Sequence, residues 1–459
     1  MVQPYTLTDL GVPPGNPEDN SLAYGINDAG QVVGYSVVVS SGGAASVYAT
    51  LWSGGAAINL GGLSGNNGGQ ALAINDLGQV VGDSGFIGGA AVATLWSGGV
   101  ATDLGVLTGF TNSFAYGIND AGQVVGRSDT VGSSFDAATL WSRGSIISLG
   151  GLPGSAGSYA DAINNAGQVV GASEFGNGGA LSSHATLWSG GRVIDLGVLP
   201  GDTGSAANAI NNSGQAVGYS AVSGANGSVI DNATLWSGGV ITNLGALPGS
   251  ITSSADAIND AGEIVGASYN AQTKTWHATL WNDGSVIDLN SVVGSSLAGW
   301  TLESATGQIA GYGLNPSGQF DAFLLTPVLQ PPTISGTAAN QAPFTLHPFG
   351  NVVITDPNLD QTETVTVTRV ENAGGPVSNA VLYGILYDRN AAVDGSHNAN
   401  GVYTVTGSPT AVTADLEGLV RSPGLETTNY TIHVTDTAGL SATNTTTSII
   451  GVLNYHPFV

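Results

Sequence analysis

The stretch that decides the fold is Ile26-Asn27-Asp28-Ala29-Gly30-Gln31-Val32-Val33-Gly34, followed by Ala49-Thr50-Leu51-Trp52 and by Ile58-Asn59-Leu60-Gly61. These three blocks recur in the same order along the first two thirds of the chain. The Asn of the first block recurs at Asn27, Asn75, Asn119, Asn164, Asn211 and Asn259, and a degenerate seventh copy has Ser304 there. Successive copies are 48, 44, 45, 47, 48 and 45 residues apart. This regular spacing predicts a repeat architecture.

Each block has the composition of a short β-strand. Its residues are β-branched or aromatic and are bounded by Gly, Asn, Asp and Ser, which favour turns. Asn-Asp-x-Gly between apolar runs predicts a hairpin turn, in which Asn and Asp bond to their own backbone and Gly takes a positive φ. Each unit therefore contains about four strands. Four strands in a repeat of roughly 46 residues are typical of a β-propeller blade.

The third block is offset by one unit from the other two. Its in-line copies end at Leu60, Leu104, Leu149, Leu196, Leu244 and Leu289, and none follows Ala322-Phe323-Leu324-Leu325 of the seventh unit. One copy, Leu7-Thr8-Asp9-Leu10-Gly11, instead precedes the first unit. We therefore predict an all-β fold with a seven-bladed β-propeller that is closed by the N-terminal strand. Closure removes exposed sheet edges, whereas an open array, the alternative, would need capping repeats and no permuted strand.

The repeats resemble the HAF repeat family of bacterial extracellular proteins. The resemblance is carried by pieces such as Ala257–Gly266 (Ala-Ile-Asn-Asp-Ala-Gly-Glu-Ile-Val-Gly) and His277–Trp281 (His-Ala-Thr-Leu-Trp), and it covers residues 5–327. It implies a secreted or surface location and brings no catalytic residues. The seventh copy departs from the pattern because it lacks Ile-Asn-Asp and Trp.

The repeat stops at Pro327, and a different pattern follows. We predict a β-propeller over residues 1–328, a Pro-rich linker at 329–332, a β-sandwich at 333–451 and a C-terminal tail at 452–459. Short alternating strands separated by turn clusters are the pattern of a small antiparallel sandwich. The segment resembles the immunoglobulin-like or cadherin-like modules of large bacterial adhesins through Pro332–Gly336, Thr355–Asp360 and Val434–Ser441.

A calcium site is predicted in this second domain. Asp356, Asn358 and Asp360 place side-chain oxygens at i, i+2 and i+4, a spacing that can wrap one hard cation with help from Asp436 or Glu363. The resemblance supports this prediction, because cadherin-like modules bind calcium with related Asp-rich motifs. The alternative is that Asp-Pro-Asn is a turn whose side chains bond backbone amides.

Charge and composition exclude several classes of function. The chain has 7 Lys and Arg against 32 Asp and Glu, a net charge of −25, and its basic residues are scattered singly. Nucleic acids and anionic membranes require clustered basic residues, so both are excluded as partners. Cys is absent, which excludes disulfides, zinc-thiolate sites and Cys nucleophiles. No apolar run is long enough to span a bilayer, so we predict no membrane insertion.

The aromatic and acidic residues of the repeats have mostly structural explanations. A Trp at a fixed place in each blade is what packing between blades requires, and Asp28, Asp76, Asp120 and Asp260 belong to the turn. Trp276 and Trp300 lie outside the repeat pattern and are the candidate ligand-binding residues, on an exposed stacking surface.

Enzyme signatures are weak. Gly82-Asp83-Ser84-Gly85 resembles the surroundings of a serine-protease nucleophile, but it is one copy of the repeated Val-Gly-x-Ser strand end. Acidic pairs for glycoside hydrolysis could assemble across a propeller from Asp83, Asp129, Asp136, Glu174 and Asp231.

We therefore predict a non-enzymatic extracellular or cell-surface protein for adhesion, matrix or surface-layer assembly, with self-association or another surface protein or glycan as its partner. A secreted glycan-acting hydrolase and a homopolymer subunit are the alternatives. The N-terminus lacks the features of a signal peptide. The acidic, Gly-rich, Cys-free composition resembles substrates of type I secretion, and residues 449–459 could belong to an uncleaved C-terminal signal.

Overall fold

Four-stranded antiparallel sheets form the first of two compact units, Tyr5–Thr326. The second unit contains Pro327–Val459 together with Met1–Pro4. The computed structural model describes residues 4–328 apart from 14–19, 40–42, 44, 64–67, 86–89, 133–135, 177–182, 224–227, 283, 294–300 and 307–308, and beyond these residues 333–335, 352–355, 363–370, 386–388, 396–397, 402–421, 428–437 and 440–448.

Seven such sheets, S1 to S7, follow one another along the described part of the first unit. The N-terminal strand is β1 (Tyr5–Asp9). S1 has β2 (Asn20–Ile26), β3 (Val32–Val39), β4 (Ala45–Ser53) and β5 (Ala56–Asn59). S2 has β6 (Gly69–Ile74), β7 (Val80–Ser84), β8 (Val92–Ser97) and β9 (Val100–Asp103). S3 has β10 (Asn112–Ile118), β11 (Val124–Asp129), β12 (Ala137–Ser142) and β13 (Ser145–Ser148).

The remaining sheets repeat this order. S4 has β14 (Gly157–Ile163), β15 (Val169–Glu174), β16 (Ser183–Ser189) and β17 (Arg192–Asp195). S5 has β18 (Gly204–Ile210), β19 (Ala216–Ser223), β20 (Val229–Ser237) and β21 (Val240–Asn243). S6 has β22 (Thr252–Ile258), β23 (Ile264–Asn270), β24 (Thr275–Asn282) and β25 (Ser285–Asp288), and a 3₁₀ turn at Leu289–Ser291 follows it. S7 has β26 (Thr301–Thr306), β27 (Ala310–Leu314) and β28 (Phe320–Pro327), with β1 as its fourth strand.

The N-terminal strand pairs with β28, as the offset third block predicts. The backbone N–H of Leu10 donates to the Ala322 carbonyl at 3.0 Å, just as Leu60 donates to Ala49 at 2.9 Å within S1. Tyr5 is buried in a cluster that includes Phe323. Strand β1, which is distant from S7 in the sequence, therefore occupies in S7 the place that β5 occupies in S1.

Two kinds of hydrogen bond, one donated by a Trp indole and one accepted by a Ser hydroxyl, join consecutive sheets and also join S7 to S1. The Trp96 indole N–H of S2 donates to the Gly61 carbonyl after S1 at 3.0 Å, and the Trp52 indole of S1 donates to Gly11 after β1 at 3.0 Å. The Ser21 hydroxyl of S1 accepts from the Ala322 N–H of S7 at 3.0 Å, as Ser hydroxyls do between other sheets. The repeated tryptophans are 2–5% exposed, so they belong to the core between sheets.

A glycine is required where the first hairpin of each sheet is bulged. In S1 the register of β2 against β3 shifts between Ala23 and Gly25, and a bulge brings the two backbones close together. A Cβ on Gly34 would overlap the carbonyl oxygen of Leu22. The same overlap occurs at the corresponding glycines Gly82, Gly126, Gly171, Gly218 and Gly266. This explains the Gly that ends each Gln-Val-Val-Gly block.

The described part of the second unit contains strands and one helix. Its strands are β29 (Thr333–Ser335), β30 (Val353–Thr355), β31 (Glu363–Val370), β32 (Leu386–Asp388), β33 (Ser396–His397), β34 (Val402–Gly407), β35 (Leu419–Arg421), β36 (Thr428–Asp436) and β37 (Ser441–Ser448), and its helix is α1 (Pro409–Gly418). A five-stranded antiparallel sheet has the order β33-β34-β31-β36-β37. Val412 and Leu416, one helical turn apart, pack into its core beside Tyr403. The sequence pattern did not predict this helix.

No helix among the described residues is long and apolar enough to cross a membrane.

Removal of residues 1–10 should destabilise the first unit. The deletion takes away β1, leaves the edge of β28 unpaired and loses the buried Tyr5 side chain, which alone is worth about 1.5–3 kcal/mol. We expect a lower thermal midpoint and self-association through the free edge, measured by calorimetry and light scattering. A chain that lacks only residues 1–3 is the control. Equal midpoints for both chains would contradict the closing role of β1.

Candidate functional site

The two ends of the first hairpin in each sheet differ in character. At one end lie the Asn-Asp-x-Gly turns, which are nearly identical in S1 to S6. At the other end lie positions whose residues change from sheet to sheet. The repeats provide an internal comparison of what the scaffold requires and what it leaves free.

The turn Asn holds consecutive sheets together. The Asn75 carboxamide Nδ2 donates to Gln79 Oε1 at 2.9 Å and to the Asn119 carbonyl of the next sheet at 3.0 Å. Its Oδ1 accepts from the Gln79 backbone N–H at 2.9 Å. Equivalent bonds between sheets run from Asn27, Asn119, Asn164 and Asn211. The Asn is therefore more than a turn former, because it uses every polar atom of its amide.

The turn Asp caps a backbone amide of the preceding sheet. Asp76 Oδ1 accepts from the Asp28 N–H at 3.0 Å, and Asn165 Oδ1 accepts from Asp120 in the same way. An amide oxygen does this as well as a carboxylate does, which explains the exchange of Asp for Asn in S4 and S5. These turns line a cavity of about 460 Å³. The bonds account for the turn carboxylates without a ligand.

At the other end, one position of the second strand varies. It follows the Gly that ends the Gln-Val-Val-Gly block or its variants, and it precedes a Ser that is constant in S1 to S6. Its occupants in S1 to S7 are Tyr35, Asp83, Arg127, Ala172, Tyr219, Ala267 and Tyr312. The neighbouring Ser points to the other face of the sheet. In five of the six sheets its hydroxyl bonds to a buried Thr on that face; the distance between Ser36 Oγ and Thr50 Oγ1 is 3.0 Å.

Two residues further along the second strand, a residue and its cross-strand partner lie on the same face of the sheet as the varying position, because side chains alternate along a strand. Its members in S1, S4, S5, S6 and S7 are Val37 and Val47, Glu174 and Ser183, Ala221 and Asp231, Tyr269 and Trp276, and Leu314 and Phe320. In S3, Asp129 and Asp136 directly follow the last paired residues. We call these two sets of positions the variable tier.

Arg127 is the centre of the most polar part of the variable tier. Its Nη1 lies 2.7 Å from Asp136 Oδ2, and its Nε lies 3.8 Å from Asp129 Oδ2. The guanidinium carbon lies 4.8 Å from the centre of the Phe114 ring and 5.9 Å from that of Tyr116. The positive charge is thus held by two carboxylates and two aromatic rings.

Burial changes the acidity of several carboxyl groups in this region. It raises the pKa of Asp83 to about 6 and that of Asp161, on the inner strand of S4, to about 7. Burial also raises the pKa of Asp136, although the Arg127 charge opposes the change. The pKa of Glu174 and of Asp231 rises for the same main reason. These carboxyl groups are poorly solvated, as groups at binding and catalytic sites often are.

Five buried side-chain polar atoms have no hydrogen-bond partner within the part of the chain that the structure describes, and all five lie here. They are Asp83 Oδ2, Asn112 Oδ1, Arg127 Nε, Ser183 Oγ and Asp231 Oδ1. Four belong to the variable tier, and Asn112 lies directly opposite Asp129 in the sheet. Each unsatisfied atom costs roughly 1–3 kcal/mol. The concentration of this cost at one end of the sheets points to a partner from outside the chain.

The structure places one of the two predicted stacking residues in the variable tier. The Trp276 side chain is 40% exposed, and its ring centroid lies 5.1 Å from that of Tyr269. Trp300 lies outside the described residues. The proposed hydrolase carboxylates Asp83, Asp129, Asp136, Glu174 and Asp231 all belong to the tier, and Asp129 and Asp136 meet at Arg127.

The predicted calcium ligands are only partly within the described residues. Asp356, Asn358 and Asp360 lie outside them. Glu363 of β31 stands directly opposite Asp436 of β36. Asp436 is buried, and its Oδ1 accepts from the Leu440 backbone N–H at 2.7 Å, closing the turn before β37. Among the residues that the structure describes, no three His, Asp or Glu side chains form a group that could hold a metal ion.

The sequence analysis did not single out Asn112, Tyr116 or Asp161. Tyr116 and Asp161 occupy the same inner-strand place, which holds Tyr24 in S1, Leu72 in S2 and Asn208 in S5. Alignment of the inner strands, in addition to the loops, would have revealed this variation. Asn112 carries no such signal, since its role depends on the register opposite Asp129.

The matches between this chain and known proteins are weak. No family model and no curated protein matches it. TolB from Acinetobacter baumannii aligns with 64% of this chain and 63% of its own, less than two thirds of its length, at 12% identity and a TM-score of 0.36. The β-propeller domain of the Trilobed protease from Pyrococcus furiosus aligns with 64% of this chain and 99% of its own, at 10% identity and a TM-score of 0.31. The extracellular domain of a one-component system from B. thetaiotaomicron aligns with 98% and 58%, at 10% identity and a TM-score of 0.31. We therefore assign the β-propeller architecture from the sheet topology of this chain.

Substitutions at the turn should separate the roles of its two polar residues. Asn75→Ala removes the bond to the next sheet and leaves the Gln79 backbone N–H without its acceptor, so we expect a loss of about 1–3 kcal/mol in the free energy of unfolding. Asp76→Asn keeps the oxygen that caps Asp28, and the chain itself uses Asn at this place, so we expect a change within about 0.5 kcal/mol. Urea unfolding measures both. Equal losses would show that the carboxylate has another role.

Asp83 should make the protein less stable as the pH rises. Its native pKa of about 6 exceeds the ordinary 3.8, so between these values the native state binds more protons than the unfolded state, and stability falls with rising pH. Asp83→Asn should therefore stabilise the protein at pH 7.5, on the order of 2 kcal/mol, and change little at pH 4. Thermal unfolding at both pH values tests this, with Asp76→Asn as the control for loss of one charge. A stabilisation that is the same at both pH values would refute it.

Proposed function

We propose that this chain is a non-enzymatic extracellular or cell-surface binding protein whose recognition surface is the variable tier. The observation that carries the proposal is the division of the repeats into two ends. Turn Asn, core Trp and bulge Gly recur because the scaffold needs them, whereas the tier changes in size, charge and polarity from sheet to sheet. Variable residues on a rigid scaffold are the usual place of recognition.

In this proposal the seven sheets are the blades of one closed propeller, and the second unit is an immunoglobulin-like or cadherin-like spacer. The junction of S7 with S1 supports closure, because it uses the Trp and Ser bonds of the other junctions. Calcium bound by Asp356, Asn358 and Asp360, with Asp436 or Glu363, would stiffen the spacer. The HAF-like repeats support secretion, and type I export fits the acidic composition.

The binding role that we propose is adhesion, matrix or surface-layer assembly, with another surface protein, a glycan or a second copy of the chain as partner. The net charge of −25 keeps nucleic acids and anionic membranes out of this list.

A glycan-acting hydrolase is the second candidate. It is favoured by Asp83 and Asp161, whose pKa values lie near 6 and 7, because a carboxyl group that stays protonated near neutral pH can act as a general acid. Release of reducing ends from a glycan would favour this candidate over binding alone.

The test compares binding of the wild-type chain with that of a double variant of the tier, Arg127→Ala with Trp276→Ala. The labelled full chain is applied to printed arrays of matrix proteins, bacterial surface polymers, glycans and the chain itself, with calcium and with chelator. We expect the wild type to bind to at least one printed surface and the double variant not to bind to it. The turn variant Asp76→Asn, which should keep the fold and the tier, is the matched control.

Binding that survives in the double variant would refute the tier as the recognition surface. Absence of binding on every array would refute the binding role. Release of reducing sugar by the wild type would replace it with the hydrolase.

A further inference from the structure

We infer that the variable tier binds neutral, polyhydroxylated saccharide units of a glycan chain. This inference rests on the proposed function, since it takes the tier as the recognition surface and names the chemistry of its ligand. Three sets of observations support it: the unsatisfied polar atoms, the balance of charge and the exposed aromatic pair.

The unsatisfied atoms require a ligand with both donors and acceptors. Asp83 Oδ2, Asn112 Oδ1 and Asp231 Oδ1 are acceptors, and Arg127 Nε is a donor that finds no acceptor within hydrogen-bond distance in the described part of the chain. Asp83 is 3% and Asn112 8% exposed, so bulk water has little access to either side chain. A hydroxyl group donates one hydrogen bond and accepts two. Sugar hydroxyls can therefore serve carboxylate, amide and guanidinium groups alike.

Ser183 adds an independent indication. Its side chain is 2% exposed, and its hydroxyl has no partner among the described residues. A serine buried without a partner is worse for the fold than alanine at the same place. Its neighbour across the strands is Glu174, a second acceptor for a hydroxyl ligand. Ser183 therefore costs stability in the free protein, and a bound hydroxyl would offset that cost.

The charges of the tier favour a neutral ligand over ionic ligands of either sign. Arg127 is already paired with Asp136 at 2.7 Å, so it has no free charge for a sulfate, phosphate or uronate. Carboxylates outnumber it, and the protein as a whole carries −25, so acidic glycans would be repelled. An ammonium ligand would be attracted by the carboxylates, but it has no lone pair for Arg127 Nε and would lie near a like charge. A neutral ligand fits these charges better than either ionic ligand.

The aromatic pair of S6 supplies the apolar surface that a sugar ring needs. Trp276 and Tyr269 are cross-strand neighbours in the tier, and the exposed Trp276 ring lies against Tyr269. One face of a pyranose carries mostly C–H groups, which are favourably removed from water against an aromatic ring. Trp276 lies at the strand position that Asp136 holds in S3 and Asp231 in S5. One tier of the sheets thus carries both stacking and hydrogen-bonding groups.

The experiment is a calorimetric titration of the full chain with matched pentasaccharides. Cellopentaose and chitin pentaose are the neutral probes, chitosan pentaose is the cationic probe, and oligogalacturonate of the same length is the anionic probe. We expect a neutral probe to bind and both charged probes to bind at least tenfold more weakly. Higher salt should change the affinity of the neutral probe little.

The decisive variants are Ser183→Ala and Trp276→Ala. Ser183→Ala removes one unsatisfied atom, so we expect binding to weaken about fivefold or more while the thermal midpoint stays equal or rises. A structural role alone would lower the midpoint, so the opposite changes distinguish recognition from folding. Ser189→Ala, at the turn end of the same strand, is the matched control and should bind as the wild type does. Trp276→Ala should weaken binding without loss of the fold, since Trp276 is exposed.

Tight binding of a charged probe that depends on Ser183 would overturn the inference of a neutral ligand and leave the recognition surface in place. Equal neutral-probe affinities for the wild type, Ser183→Ala and Trp276→Ala would overturn the inference by placing the site elsewhere. Failure of all four probes, with tier-dependent protein binding on the arrays, would overturn the glycan inference alone. Failure of all four probes and of every array would overturn the proposed function as well.

Discussion

The hydrogen bonds between consecutive sheets are the constraint on which the rest of the first unit depends. Each of S1 to S6 donates an indole N–H to a neighbouring sheet, as Trp96 does to Gly61, and each of S1 to S5 also donates a turn carboxamide N–H, as Asn75 does to Asn119. Buried polar groups of this kind must be satisfied, so they fix the position of each sheet against the next. Apolar clusters of Val, Ala and Trp then fill the space between sheets. Because these bonds are local and repeated, the scaffold does not depend on the residues at the far end of the strands.

This independence separates architecture from recognition. The turn end uses the polar atoms of its Asn side chains internally and tolerates the exchange of Asp for Asn. The variable tier leaves four polar atoms without partners among the described residues, and it carries the change from Arg127 to Ala172 to Tyr219 at a single strand position. The unsatisfied atoms at one end of the sheets lower the stability of the fold, and the hydrogen bonds at the other end raise it. Functional sites are commonly maintained in this way.

Much of the first unit followed from sequence periodicity. The offset Leu7–Gly11 block was enough to predict that β1 pairs with β28, since a strand missing at one end of the repeat array was present at the other. The hairpin turns between strands and the burial of the repeated Trp side chains were also predicted from the repeats. The bond from Asn75 to the next sheet did not, because a turn residue is sufficiently explained by its own hairpin.

The site was harder to predict than the fold. The sequence identified Asp83, Asp129, Asp136, Glu174 and Asp231 as members of one set of loops, but not their relation to Arg127, which depends on register. Asn112 and Ser183 have no sequence signal at all, because an unsatisfied atom is recognised only from its surroundings. In the second unit, the Thr and Val pattern predicted strands, while α1 was missed because its two core residues, Val412 and Leu416, give too little periodicity.

The pairing of β1 with β28 also sets an order of events in folding. The two strands are separated by more than 300 residues, so their contact is among the most non-local in the chain, and such contacts form slowly. Sheets S1 to S6 can each form from adjacent strands as soon as they are synthesised. S7 lacks its outer strand until the beginning of the chain returns to it. An emerging chain therefore carries β1 unpaired through most of its synthesis, which is the period when pairing with the wrong molecule is most dangerous.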